Sequence, residues 1–231
     1  MTRKTVYDYI LFDADGTLYD YEKAEAYALE ATFLEYNLPY HKELLEIYKK
    51  INAGYWNAFE LGQIDLKTLR IARLESFFKE EGSAAEAASF GRSSIKHLSE
   101  STFLMPGALE ILESLSKHTV LAIITNGISE VQRRRFKLSK VLHYFQGIII
   151  SEEIGFSKPH KAYFDHACKI LGIQDLSKAL VVGDSLSSDI LGGNNYGLDT
   201  CWYNPKGLKE DKAIKPVFTI KELKELEVIV F

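Results

Sequence analysis

The chain has 231 residues, 46% of them hydrophobic and 26% charged, enough for one large domain or two small ones whose core needs no disulfide staples. Twenty-eight basic against thirty-two acidic residues leave a formal net charge of −4, which excludes the basic excess that a nucleic-acid polymer calls for. The composition also excludes disordered and fibrous classes, Cys168 and Cys201 fit no zinc or redox spacing, and no apolar stretch approaches the roughly 20 residues that span a bilayer.

The first residues, Met1-Thr2-Arg3-Lys4, lack the apolar region of a signal peptide, so a soluble, cytoplasmic protein is expected. Tyr9-Ile10-Leu11-Phe12 predicts a buried strand, which ends in Asp13-Ala14-Asp15-Gly16-Thr17. From residue 22 to about 100 no strand-like run follows. Helical periods occupy stretches around 24–36, 42–50, Leu66 to Phe78 and 84–98, with Gly54, Gly62 and Gly82 between them, which predicts four or five helices inserted after the first strand. Strands and helices then alternate. Leu109, Leu112 and Leu115 form a helical stripe after Pro106, and Val120 to Ile124 predicts a strand ending in Thr125-Asn126-Gly127. Gly147 to Ile150 predicts a third strand, followed by Lys158-Pro159. Tyr163, Ala167, Ile170 and Leu171 form a second stripe, closed by Gly172 at a C-cap. Ala179 to Val182 predicts a fourth strand that runs into Gly183-Asp184-Ser185, with Asp189 in the next turn, and Thr200 to Tyr203 a fifth. Short, nearly continuous apolar runs suit strands buried on both faces of a parallel sheet, and their alternation with helices argues for a doubly wound α/β domain.

Every strong polar cluster follows one of these strands, where open α/β sheets bind their ligands. Asp13 and Asp15 alternate on an extended chain, and a turn at Gly16 lets both face one cavity. Asp184 and Asp189 add two acids from another strand end. Carboxylates brought together repel and raise one another's pKa values, so they call for a cation, and an oxygen-only set suits Mg²⁺ beside a phosphate. Lys158 supplies a fixed positive charge, Thr125 a hydroxyl, and Asn126 and Gly127 backbone donors at a turn. Anion-binding groups beside a metal fit phosphoryl transfer, in which positioning and charge neutralisation do most of the catalysis.

The set Asp13-x-Asp15-Gly16-Thr17, Thr125-Asn126-Gly127, Lys158-Pro159 and Gly183-Asp184-x4-Asp189 resembles, in order and approximate spacing, the four motifs of the haloacid dehalogenase (HAD) superfamily of phosphohydrolases. The resemblance implies a Rossmann-like doubly wound parallel sheet core at 1–21 and 101–231, with an inserted all-helical C1 cap domain at 22–100. It implies Asp13 as the nucleophile that becomes an aspartyl-phosphate, and Asp15 as acid for the leaving group and then base for water. It places Mg²⁺ on the Asp13 side chain, the Asp15 carbonyl and the Asp184 side chain. Asp189 supports from behind, and Thr125, the Asn126 amide and Lys158 hold the phosphoryl group. Tyr48 to Glu60, Ser151 to Pro159 and Gly183-Asp184-Ser185 through Gly197 to Pro205 further resemble the YjjG/YfnB group, which is associated with 5′-nucleotidase activity on pyrimidine nucleoside monophosphates. One departure is visible: the first motif reads Asp-Ala-Asp-Gly-Thr, where that group often carries Asp-Asp-Thr. The expected partner is therefore a small phosphomonoester, a nucleoside monophosphate, with no nucleic-acid polymer and no membrane.

Other readings compete. A sugar phosphate remains the alternative substrate, and a phosphomutase shares all four motifs. A phospho-accepting receiver module lacks the long helical insertion, and a haloalkanoic-acid dehalogenase needs neither Asp15 nor Asp184. Tyr55 and Trp56 could stack on a base or pack the cap, and core packing is the more expected role for Trp56. Arg133-Arg134-Arg135 reads as a solvated helix face, Ser185 as a helix N-cap, and Cys168 and Cys201 as buried apolar side chains.

Overall fold

A computed structural model of the chain describes residues 6–82, 85–209 and 213–231. The leader reading at Met1 to Lys4 and residue 84 of the fourth helical stretch lie outside them. Strand β1 (Tyr9–Phe12) is followed by four helices, α1 (Tyr21–Glu35), α2 (Lys42–Glu60), α3 (Leu66–Glu81) and α4 (Ala87–Glu100). Then come α5 (Ala108–Leu115), β2 (Val120–Thr125), α6 (Ser129–Leu138), β3 (Phe145–Ile150), α7 (Ser151–Ile154) and α8 (Lys161–Leu171). The chain closes with β4 (Ala179–Gly183), a π-helical turn at Leu186–Ile190, α9 (Leu191–Tyr196), β5 (Asp199–Tyr203), β6 (Phe218–Ile220) and α10 (Leu226–Val230).

Among the described residues the strands form one parallel sheet in the order β3-β2-β1-β4-β5-β6, a doubly wound Rossmann-like arrangement. Alternate side chains on each strand feed opposite layers. Ile10, Phe12, Leu121, Ile123, Leu180 and Val182 pack on α5 and the C-terminal segment. Leu11, Ala122, Ile124 and Val181 pack on Tyr163, Phe164 and Ala167 of α8. Both faces are covered, which is why the strands read as continuous apolar runs. Two helical stripes are set differently from their sequence reading. Leu109 and Ile170 are exposed, and Ile111 with Ala108, and Phe164 with Cys168, take the core side instead. The third strand begins at Phe145, before Gly147, and the three-residue β6 has no counterpart in the sequence reading.

Helices α1 to α4 carry an aromatic-rich core of their own: Phe33, Tyr48, Phe77, Phe78 and Phe90. A smaller cluster joins them to the sheet domain, with Ala24, Ala28 and Leu98 against Ile128 and Val131 at the start of α6. Across the same boundary Arg70 of α3 pairs with Glu152 of α7 at 2.9 Å. No helix among the described residues is long and apolar enough to cross a membrane.

Candidate active site

Connections leave β1 on one side toward β2 and β3, while β4 to β6 lie on the other, so a crevice opens at the carboxyl ends of β1 and β4. Asp13 and Asp15 follow β1, Thr125 to Gly127 end β2, Lys158 precedes α8, and Asp184 and Asp189 follow β4. All line one cleft of about 420 Å³, with Trp56 and Glu60 of α2 on its outer wall. That volume suits a small molecule.

Lys158 is the hub. It is 1% exposed. Its Nζ donates to Asp13 Oδ1 and Asp189 Oδ1, both at 2.6 Å, and to the Ile124 carbonyl at 3.0 Å. Asn126 fixes the lysine's backbone: its Oδ1 accepts from Lys158 N and its Nδ2 donates to Lys158 O, each at 2.9 Å. The Asn126 side chain is thus committed to this loop, and a ligand would meet its backbone. Thr125 Oγ1 accepts from Gly127 N at 3.0 Å. The second oxygen of Asp189 accepts from Ser185 N at 3.2 Å, and Ser185 Oγ caps Ser188 N at 3.2 Å.

Carboxylate oxygens of Asp13, Asp184 and Asp189 lie within 4.8 Å of one another. Lys158 balances one of these three charges. Burial pushes the Asp13 carboxyl well above the usual range; Asp189 and Asp184 add to that, and Lys158 opposes it. Burial, then Asp189, pushes Asp184 up to about 7. Burial works against the Lys158 charge, but Asp13 and Asp189 outweigh it and hold the ammonium above its usual range. Gly16 makes the cluster possible. Its φ is +88°, and a Cβ there would stand 2.4 Å from Asp184 Oδ2. An excess of carboxylate with oxygen-only donors is a place for a hard divalent cation.

Asp15 does not join this cluster with its side chain. The carboxylate turns to α6, where Gln132 Nε2 donates to one oxygen and Arg135 to the other. The arginine run is therefore not one solvated face. Arg133 and Arg134 are exposed and pair with Glu153 and Glu100, whereas Arg135 is fully buried. Its place was legible in the helical period: Val131, Gln132, Arg135 and Phe136 make one buried stripe. The adjacent aromatics of α2 also separate. Tyr55 hydrogen-bonds Ser76 at 2.8 Å, while Trp56 lines the cleft and packs on the cluster that joins the helices to the sheet domain. Glu60, one turn after Trp56, accepts from Ser187 Oγ at 2.8 Å, and burial raises its pKa despite that bond.

A family model described as haloacid dehalogenase-like hydrolase matches residues 10–203. This chain is a haloacid dehalogenase-like hydrolase. The matched span runs from β1 through β5, so it holds every strand end that builds the site and the four helices between. This haloacid dehalogenase-like hydrolase is 36% identical over 220 residues to the HAD-hydrolase YfnB of Bacillus subtilis, covering 95% of this chain and 94% of YfnB. A magnesium-bound crystal structure of YfnB superimposes with a TM-score of 0.92 at 36% identity, covering 98% of this chain and 99% of that one. Pyrimidine 5′-nucleotidase YjjG of Escherichia coli is 35% identical, covering 96% of each chain. Pyrimidine 5′-nucleotidase PynA of Streptococcus pneumoniae is 30% identical, covering 95% of this chain and 93% of PynA.

Proposed function

We propose that the protein is a Mg²⁺-dependent phosphomonoesterase that works through an aspartyl-phosphate on Asp13 and acts on pyrimidine nucleoside monophosphates. The observation that carries the chemistry is Lys158 bonded to both Asp13 and Asp189 beside Asp184, in one cleft. The fit to a cation rests on the unbalanced carboxylates and on the bare Gly16 that admits Asp184. Asp13, Asp184 and the Asp15 carbonyl would hold Mg²⁺, which supplies charge neutralisation at the phosphate oxygens.

The chain's own residues do the rest. Lys158 holds Oδ1 of Asp13, and Oδ2 has no hydrogen-bond partner among the described residues. Asp13 attacks phosphorus as the P–O bond to the leaving group breaks, and Asp15 gives its proton to the departing oxygen. Asp15 then takes a proton from water as that water attacks the phosphoaspartate, which returns Asp13 and releases phosphate. Thr125 and the Asn126 backbone hold the transferring group, and Lys158, whose three ammonium protons go to Asp13, Asp189 and the Ile124 carbonyl, faces it with its charge. Asp189 orients Lys158 from behind. Helices α1 to α4, residues 22–100, act as a cap over the core formed by 1–21 and 101–231, and their Trp56 meets the leaving group.

The nucleotide reading draws support from YjjG and PynA, whose likeness extends over the cap as well as the core. A phosphate-release screen with Mg²⁺ tests it, with Asp13→Asn as the inactive control. UMP, dUMP or dTMP should exceed glycolate phosphate and hexose phosphates in kcat/KM. A sugar phosphate ahead by tenfold, about 1.4 kcal/mol of transition-state discrimination, overturns the nucleotidase reading and leaves the phosphohydrolase one.

A further inference from the structure

Asp15 stands apart from the other acids of the cleft. Its side chain is 24% exposed and lines the pocket beside Asp13, yet both of its oxygens are held from behind. Gln132 and Arg135 lie three apart on one face of α6, and each donates to a different oxygen. Arg135 is 0% exposed and its guanidinium lies 5.3 Å from the centre of the Tyr19 ring. Tyr19 is in turn fixed by a 2.6 Å hydrogen bond to Ser139 Oγ. Room for the clamp comes from Gly127, where a Cβ would stand 2.1 Å from Gln132 Nε2 and 3.1 Å from Asp15 Oδ2.

A salt bridge with no role but stability would gain nothing from an acid left open to the cleft. A buried arginine is costly unless its partner is well placed, and here the partner is a group that lines the cleft. Each carboxylate oxygen accepts at two positions. One donor per oxygen therefore fixes the plane of the carboxylate and leaves a second position on each for the proton that Asp15 transfers.

We propose that Gln132 and Arg135 are positioning residues that aim Asp15 at the leaving oxygen, a role that rests on the proton-transfer reading of Asp15. Aiming matters in proportion to the need for acid. A nucleoside or other alkyl phosphate has a poor leaving group, whereas the p-nitrophenolate of p-nitrophenyl phosphate departs without a proton. Because kcat/KM reports steps up to loss of the leaving group, the ratio between the two substrates isolates the aim from the second half-reaction.

The experiment compares wild type, Asp15→Asn, Arg135→Met, Arg135→Lys and Gln132→Met on p-nitrophenyl phosphate and on the best alkyl phosphate of the screen. Arg135→Met should lower kcat/KM for the alkyl phosphate at least tenfold more than for p-nitrophenyl phosphate, and Arg135→Lys should restore part of the difference. Gln132→Met should show the same selectivity, smaller, and decides the matter if Arg135→Met does not fold. Equal losses on both substrates in Gln132→Met and Arg135→Met mean a purely structural clamp and overturn the proposal. If those variants behave so while Asp15→Asn keeps the selective loss, Asp15 still does the proton work and only the clamp is refuted. If Asp15→Asn itself shows no selective loss, the proton role and the clamp fall together.

Discussion

Replacing Gly16 by alanine separates what the turn does for folding from what it does for the carboxylate cluster. At φ +88° an L-residue is strained by about 1–2 kcal/mol, partly offset by about 0.4–1 kcal/mol from the stiffer unfolded chain. The net loss of about 1 kcal/mol lowers Tm by about 2–4 °C in a domain of this size. The new Cβ would also stand 2.4 Å from Asp184 Oδ2 and 2.7 Å from its Cγ, where ordinary contact begins at 3.4 Å. The Asp184 carboxylate must therefore retreat by about 1 Å, and a displacement of that size at a reacting centre costs roughly 100-fold in rate. The assay is phosphate release across a Mg²⁺ titration, with thermal unfolding in parallel. Gly16→Ala should stay folded, need more Mg²⁺ for half-maximal rate and lose about two orders of magnitude in kcat/KM. A Mg²⁺ midpoint and kcat/KM within threefold of wild type would show that Asp184 does not ligate from this position.

Two further outcomes follow from the same geometry. Asp184 carries a pKa raised to about 7, so the native state holds more protons than the unfolded one above about pH 4 and loses stability as pH rises toward 7. In chelator, Asp184→Asn should therefore be more stable than wild type at pH 7.5 and not at pH 4, and Mg²⁺ at pH 7.5 should raise the Tm of wild type more than that of the variant; equal Tm values in chelator at pH 7.5 would refute the charge excess. Trp56→Ala should lower kcat/KM for UMP about tenfold more than for a short alkyl phosphate, since stacking on a base is worth about 1–3 kcal/mol, and equal losses would assign Trp56 to packing alone.

How much of this was legible in the sequence depends on whether a feature lies along the chain or across it. The strand-end acids were legible because each motif is contiguous and follows an apolar run, so Asp13, Thr125, Lys158 and Asp184 could be brought together by sheet order alone. The two faces of a helix were less so. Leu109 and Ile111 are both aliphatic, and about 200° of helix separates them, so only the sheet decides which is buried. Tyr55 and Trp56 are neighbours about 100° apart, so one could face the cleft while the other turned away, and composition gives no preference. Strand β6 is three residues long and carries no period to read.

Arg135 is the instructive miss. Three consecutive arginines read as a charged surface, and for Arg133 and Arg134 that holds. The period of α6 nevertheless places Arg135 between the buried Val131 and Phe136 stripe and one turn from Gln132. A charge on an apolar stripe must find an opposite charge, and Arg135 finds Asp15, which the first motif places 120 residues earlier in the chain. The glycine of Thr125-Asn126-Gly127 belongs to the same construction, because it clears the space in which Gln132 meets Asp15. The motif at the end of β2 and the two turns of α6 that follow it are thus one structural unit. Its first half lines the cleft beside Lys158, and its second half holds the Asp15 carboxylate.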